Sequence, residues 1–256
     1  MHDLVFWIVA VLTVALVGLS KSGFLGSLGM VAVPVLAFVM PAREAAGMLL
    51  PLLLVMDAIA IWNYRKDCDW RIIRIMMPGA ALGTILGWVL WSLVSDEAVL
   101  LFVGVVTLLF ILDALLPLRK KLEGLPPSKG WGAFWGGFAG FTSFISHTGG
   151  PPYQIYVLPQ RLDPVRYSGT TAFFFAIVNT AKLVPYYFLG ALNVGNLTTA
   201  ALLVPVAIVS VIAGVWLVRR ISVKRFYQLT YWLVFLIALK LVYDGIIGVF
   251  FTAPAA

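Results

Sequence analysis

The chain has 256 residues, 62% of them hydrophobic and only 11% charged, with a mean hydropathy of +1.00. A soluble domain of this length needs far more polar surface, so the composition describes an all-α polytopic membrane protein. The net charge of +7 does not point to nucleic acid, because the basic residues sit in short loops between apolar runs, as in cytoplasmic loops.

In chain order the apolar segments are Leu4–Leu19, Met30–Val39, Ala45–Asn63, Ile72–Leu93, Ala98–Leu116, Trp131–Ile145, Tyr153–Leu158, Tyr167–Phe188, Leu197–Val218 and Phe226–Phe251. A span needs about 20 residues at 1.5 Å each, so eight of these are expected to cross fully and two to be half-helices. The start, Met-His-Asp, lacks a basic n-region and reads as leading into a first membrane helix. A single cysteine, Cys68, excludes an internal disulfide and a multi-cysteine metal or redox site, and no cofactor is expected. Trp62, Trp70, Trp88, Trp91 and Trp131 read as interfacial belts.

Each half-helix follows a glycine-rich break, Lys21-Ser-Gly-Phe-Leu-Gly-Ser-Leu-Gly29 and Ser146-His-Thr-Gly-Gly-Pro-Pro152. Irregular backbone at bilayer depth is tolerated only where protein or a water-filled cavity satisfies its polar groups. Paired breaks of this kind in two halves point to a transport site.

The halves resemble each other. Gly18/Gly140, Gly47/Gly169 and Asp57/Asn179 are each 122 positions apart, and Pro78/Pro205, Gly87/Gly214 and Ser95/Ser222 each 127. Residues 1–117 form a first repeat and 131–256 a second, joined by a basic linker over 118–130. The Lys/Arg bias places Arg65–Arg74, Arg119–Lys129 and Arg219–Arg225 in the cytoplasm, and Ser95–Glu97 and Gly190–Asn196 outside. Both termini then lie outside and the repeats run in opposite directions. Each contributes a broken helix with its half-helix plus three full spans.

Gly23, Gly26 and Gly29 let backbone amides approach a ligand, and Met30 and Tyr153 would each begin a half-helix with its positive end at the break. Close helix packing is the competing account of these glycines. Lys21 and His147 supply cationic groups beside the hydroxyls of Ser20, Ser22, Ser146 and Thr148, with Gly149 and Gly150 following. A cluster of cations, hydroxyls and free amides without a nearby carboxylate suits an oxyanion. Lys21 could instead snorkel to an interface, and His147 could be a core histidine. Asn179 and Lys182 share one face of a span, and a lysine there is a functional candidate. Asp57 either pairs with Lys21 or Lys182 or carries a coupling proton, a role also open to His147. Lys240 and Asp244, at i and i+4, neutralise each other, and Asp113 reaches the interface near its helix end.

Gly18-Leu-Ser-Lys-Ser-Gly23 through Val33-Pro34, Gly140 through His147-Thr-Gly-Gly-Pro-Pro152, Tyr156–Asp163 and Thr170–Pro185 together resemble the TauE/SafE sulfite exporter family. Where that family often has a triple-glycine run, this chain has Ser27-Leu28. The resemblance implies a bacterial inner-membrane carrier for sulfite, thiosulfate or organosulfonates. The expected function is therefore a proton-coupled secondary transporter of a small oxyanion and not an enzyme, with lipid as its surroundings and a homo-oligomer as an open option. A passive anion channel is the near alternative. An intramembrane enzyme using Ser146, His147 and Asp57 is a more distant one, and a structural or sensory subunit more distant still.

Overall fold

The computed structural model describes residues 3–23, 29, 32–36, 38–93 and 128–250, with single positions between 95 and 108. Gly26, Met30, Asp113, Arg119 and most of the expected span Ala98–Leu116 lie outside the described residues. The described elements are helical: α1 (Leu4–Lys21), α2 (Ala32–Leu36), α3 (Ala42–Tyr64), α4 (Trp70–Val89), α5 (Lys129–Ser146), α6 (Gly150–Val157), α7 (Pro164–Phe188), α8 (Val194–Val218) and α9 (Val223–Phe250). Four of them, α1, α3, α4 and α8, are long and apolar enough to cross a membrane, and α7 and α9, with 25 and 28 residues, have the length. The chain is a multi-pass membrane protein.

Local chemistry sets the helix starts. Asp3, Asp69, Ser128, Asp163 and Asn193 each accept from first-turn amides as N-caps. The second half-helix begins at Gly150, not at Tyr153 as expected. Pro151 and Pro152 form its first turn, where a missing N–H costs nothing and the fixed φ suits a helix.

Two parallel helix pairs frame the molecule. In the pair α4 and α5, a Cβ on Gly79 would lie 1.8 Å from the Ala133 carbonyl oxygen, and one on Gly83 1.9 Å from that of Gly137. Only hydrogen at these positions permits such backbone contact. The other pair is α1 and α8, where a Cβ on Gly18 would come 2.5 Å from Ser210 Cβ. Between them α3 and α7 pack antiparallel, since Gly47 near the start of α3 abuts the Ala191 carbonyl beyond α7, and Gly169 near the start of α7 abuts that of Asp67 beyond α3.

These contacts recur at the offsets seen in the sequence. Gly140 abuts Ala80 and Gly18 abuts Ala207, while Gly87 meets Phe144 and Gly214 meets Ser22. Tyr64 donates to the Ser22 carbonyl at 2.7 Å and Tyr186 to that of Phe144 at 2.6 Å. Both tyrosines and both acceptors are 122 positions apart (186 − 64, 144 − 22). Each bond ties the last turn of α3 or α7 to the end of the broken helix in the same half.

Two peripheral expectations meet different fates. The ion pair Lys240–Asp244 is present. Trp62, Trp70, Trp88 and Trp131 are exposed on the apolar surface, but Trp91 is buried and does not belong to a belt. It packs edge-on against Phe144 and beside Tyr186, and its carbonyl accepts from Arg43.

Candidate functional site

Residues from both breaks line a half-open cavity bounded by α1, α2, α3, α5, α6 and α7. Its volume is about 60 Å³, enough for a small ion. Ser20, Lys21, Gly29, His147, Gly150 and Asn179 line it on the polar side. Val17, Leu49, Leu53 and Phe175 supply apolar wall.

Asp57 anchors one side of this chamber. Lys21 Nζ donates to its Oδ1 at 2.7 Å, and Asn179 Nδ2 donates to Oδ2 at 2.6 Å. The Asp57 side chain is only 2% exposed, so its carboxylate depends on these two donors. Lys21 therefore pairs inside the protein, with its Nζ also 5.3 Å from the Phe175 ring centre. The expectation of a cation cluster without a nearby carboxylate does not hold on this side.

His147 and Lys182 form the other side. His147 ends α5 in the left-handed conformation, φ 55°, which turns its ring toward α3. Its Nε2 lies 3.0 Å from the Ala46 carbonyl oxygen and its Nδ1 lies 2.9 Å from Lys182 Nζ. A carbonyl can only accept, so the geometry assigns the hydrogen to Nε2 and leaves the Nδ1 lone pair for Lys182. Lys182, fully buried, also donates to the Ser143 carbonyl at 2.9 Å and to Ser143 Oγ at 3.1 Å. Three N–H donors thus meet three acceptors, and no carboxylate is among them. Lys182 stands behind the wall, while its partners Ser143 and His147 face the cavity.

The remaining expected residues separate into liners and supports. Gly29 faces the cavity, but its amide is taken by Ser20 Oγ at 2.9 Å. Ser22 donates to the Leu19 carbonyl and supports the end of α1. Gly23 has φ +87° and presses against Ser168, where any Cβ would overlap the hydroxyl. Thr148 is buried, 2.9 Å from Ser146 Oγ, and supports the turn. Gly149 packs against the Ala139 carbonyl. In the first turn of α6 only Gly149 and Gly150 possess an N–H, because the next two residues are proline. The expected cradle of free amides is thus narrower than the glycines suggested.

Ser143, Thr171 and Phe175 line the cavity without having been expected. Thr171, Phe175 and Asn179 follow one another at i+4 along α7, and that spacing was the available signal. Among the described residues no group of three or more His, Cys, Asp or Glu is placed to hold a metal ion.

The family model described as "Sulfite exporter TauE/SafE" matches residues 10–241, nearly the whole chain. The chain belongs to the TauE/SafE sulfite exporter family. TauE/SafE proteins are membrane transporters of sulfite-type anions, and all the residues around the cavity fall within the matched segment. Comparison with curated proteins and with solved structures returned no match.

Proposed function

We propose that this TauE/SafE protein is a proton-coupled secondary transporter that moves a small sulfur-containing oxyanion of the sulfite, thiosulfate or organosulfonate class across the bacterial cytoplasmic membrane. One observation carries the reading. A small half-open cavity is lined by residues of both breaks, with Lys21 and His147 in its wall and hydroxyls beside them. Such an arrangement gives an anion charge-assisted donors in a wall that is otherwise largely apolar.

The chain is read as two inverted repeats with both termini outside. Supporting this, Asp57 and Asn179 bond to each other at the repeat offset, and the Tyr64 and Tyr186 bonds recur at the same offset. Antiparallel α3 and α7 and the two parallel pairs are what a two-fold axis in the membrane plane would generate. Asp57 and Asn179 would sit near that axis, each about two turns or more from either end of its helix.

Of the two proton-coupling candidates, His147 is the better placed. Both Asp57 oxygens are occupied by donors, whereas the Nζ–Nδ1 contact between Lys182 and His147 is a bond along which a proton can pass. The test is counterflow in proteoliposomes with sulfite, sulfate, sulfoacetate and a carboxylate control. Saturable sulfite or sulfoacetate exchange that responds to an imposed pH gradient is expected. Flux that ignores the gradient would favour the passive channel, and no flux of any anion would remove the transport reading.

A further inference from the structure

The end that α3 and α8 share carries a basic and aromatic surface that the transport site does not use. Arg65 caps α3 and Arg219 caps α8. Arg65 donates to the Trp62 carbonyl at 3.1 Å, and Arg219 donates to the Asn63 carbonyl at 2.7 Å. Consecutive carbonyls of one helix thus hold a guanidinium from each helix, which brings the two arginines together at that end. Lys66 and Arg220 follow directly in sequence and are exposed. Across residues 62–67 and 216–222 these four cations face a single carboxylate, Asp67. The nearby Arg166, by contrast, is spent on Asp69.

Each helix end also presents a tryptophan one turn before its arginines. Trp62 and Arg65 stand at i and i+3, and Trp216 precedes Arg219 and Arg220 by three and four positions. The Arg65 guanidinium carbon lies 4.9 Å from the Trp62 ring centre, and that of Arg220 lies 4.1 Å from the Trp216 ring centre. Trp62 is 72% exposed and Trp216 52%. One turn is about 5 Å along the axis, so the indoles sit just below the charges, at the depth where headgroups give way to acyl chains. A guanidinium has five N–H groups, so the carbonyl bonds leave others to grip a phosphate. We infer that the shared end of α3 and α8 binds an anionic phospholipid, its phosphate among these arginines and its acyl chains against Trp62 and Trp216. Four cations against one carboxylate favour a headgroup of net negative charge over a zwitterionic one. The inference needs only the membrane location of the chain and is independent of the transported solute.

The test is native mass spectrometry of the purified protein in detergent, titrated separately with phosphatidylglycerol and phosphatidylcholine. The unaltered protein is expected to hold its first phosphatidylglycerol about tenfold more tightly than phosphatidylcholine. Arg65→Gln/Arg220→Gln is expected to weaken that binding about fivefold or more, and it leaves in place the Arg219 bond that joins the two helices. Lys224→Gln/Arg225→Gln removes two exposed charges of the same sign from α9 and is expected to change it less than about twofold. Glycerol 3-phosphate, which has the phosphate without the chains, is expected not to displace the lipid from the unaltered protein. Equal retention of the two lipids, or equal weakening by the two double variants, overturns the inference. Displacement by glycerol 3-phosphate at the lipid's own concentration also overturns it, since the site would then hold phosphate alone. The lipid comparison and the displacement both use the unaltered protein, so neither depends on a variant that folds.

Discussion

Asn179 Nδ2 donates to Asp57 Oδ2 at 2.6 Å, and these two residues are 122 positions apart, the offset that also separates Tyr186 from Tyr64. One side chain is a carboxylate and the other its neutral amide, so the pair meets as acceptor and donor. Two aspartates would repel there, and two asparagines would leave Lys21 without its partner. The difference at this position gives Asp57 two donors and keeps the ion pair neutral.

Asn179→Ala is expected to leave the buried Asp57 oxygen without its second donor. The cost should be about 1–3 kcal/mol, read as a lowered thermal midpoint of the purified protein in detergent. Replacement by Asp should cost more at high pH than at low pH, because only protonation of one carboxyl relieves the repulsion. A midpoint unchanged by Asn179→Ala would show that the bond contributes nothing to stability.

His147→Ala and Lys182→Ala are each expected to abolish anion uptake while leaving membrane insertion and size-exclusion behaviour intact. Lys182 has no carboxylate partner to strand, so its removal should not destabilise the fold as loss of one ion-pair member would. Wild-type uptake by both variants would remove these residues from the site.

Glycine substitutions should divide sharply by position. A side chain at Gly83 would drive into the Gly137 carbonyl, so Gly83→Val is expected to cost about 2 kcal/mol or more and to lower the yield of monodisperse protein. Gly130 has nothing within 4 Å of an added Cβ, and Gly130→Ala should be neutral within about 0.5 kcal/mol. Equal behaviour of the two variants would refute the close α4–α5 contact.

Cys68 lies in the loop between α3 and α4, and its thiol is pushed up to about 11 by burial and then by the neighbouring Asp69 charge, against a smaller opposing effect of Arg166. The thiolate is the reactive form, so labelling by maleimide should be slow at pH 7 and rise about tenfold per pH unit up to about 11. With Cys68 replaced by Ser, Asn193→Cys should react with an impermeant reagent added outside intact cells and Arg220→Cys should not. The reverse pattern would invert the proposed orientation.

Helix identity and membrane class were legible in the sequence because apolar length and caps are local properties. The α5 and α7 boundaries fall within three residues of expectation, since Ser128 and Asp163 cap their own first turns. Trp91 shows where that reasoning stops: an aromatic near a helix end reads as interfacial until a neighbouring helix covers it. The start of α6 was displaced for a related reason, because proline reads as a breaker although it suits a first turn.

By itself the sequence determined a helical membrane chain interrupted twice by glycine-rich stretches, and it singled out Lys21, His147, Asn179 and Lys182. Only the tertiary structure decided which lysine is neutralised. Lys21 and Asp57 are 36 positions apart and Lys182 and Ser143 are 39, and no local periodicity links either pair. Pairing across helices depends on how α1, α3, α5 and α7 converge, and that convergence follows from backbone contacts at glycines distant from the site.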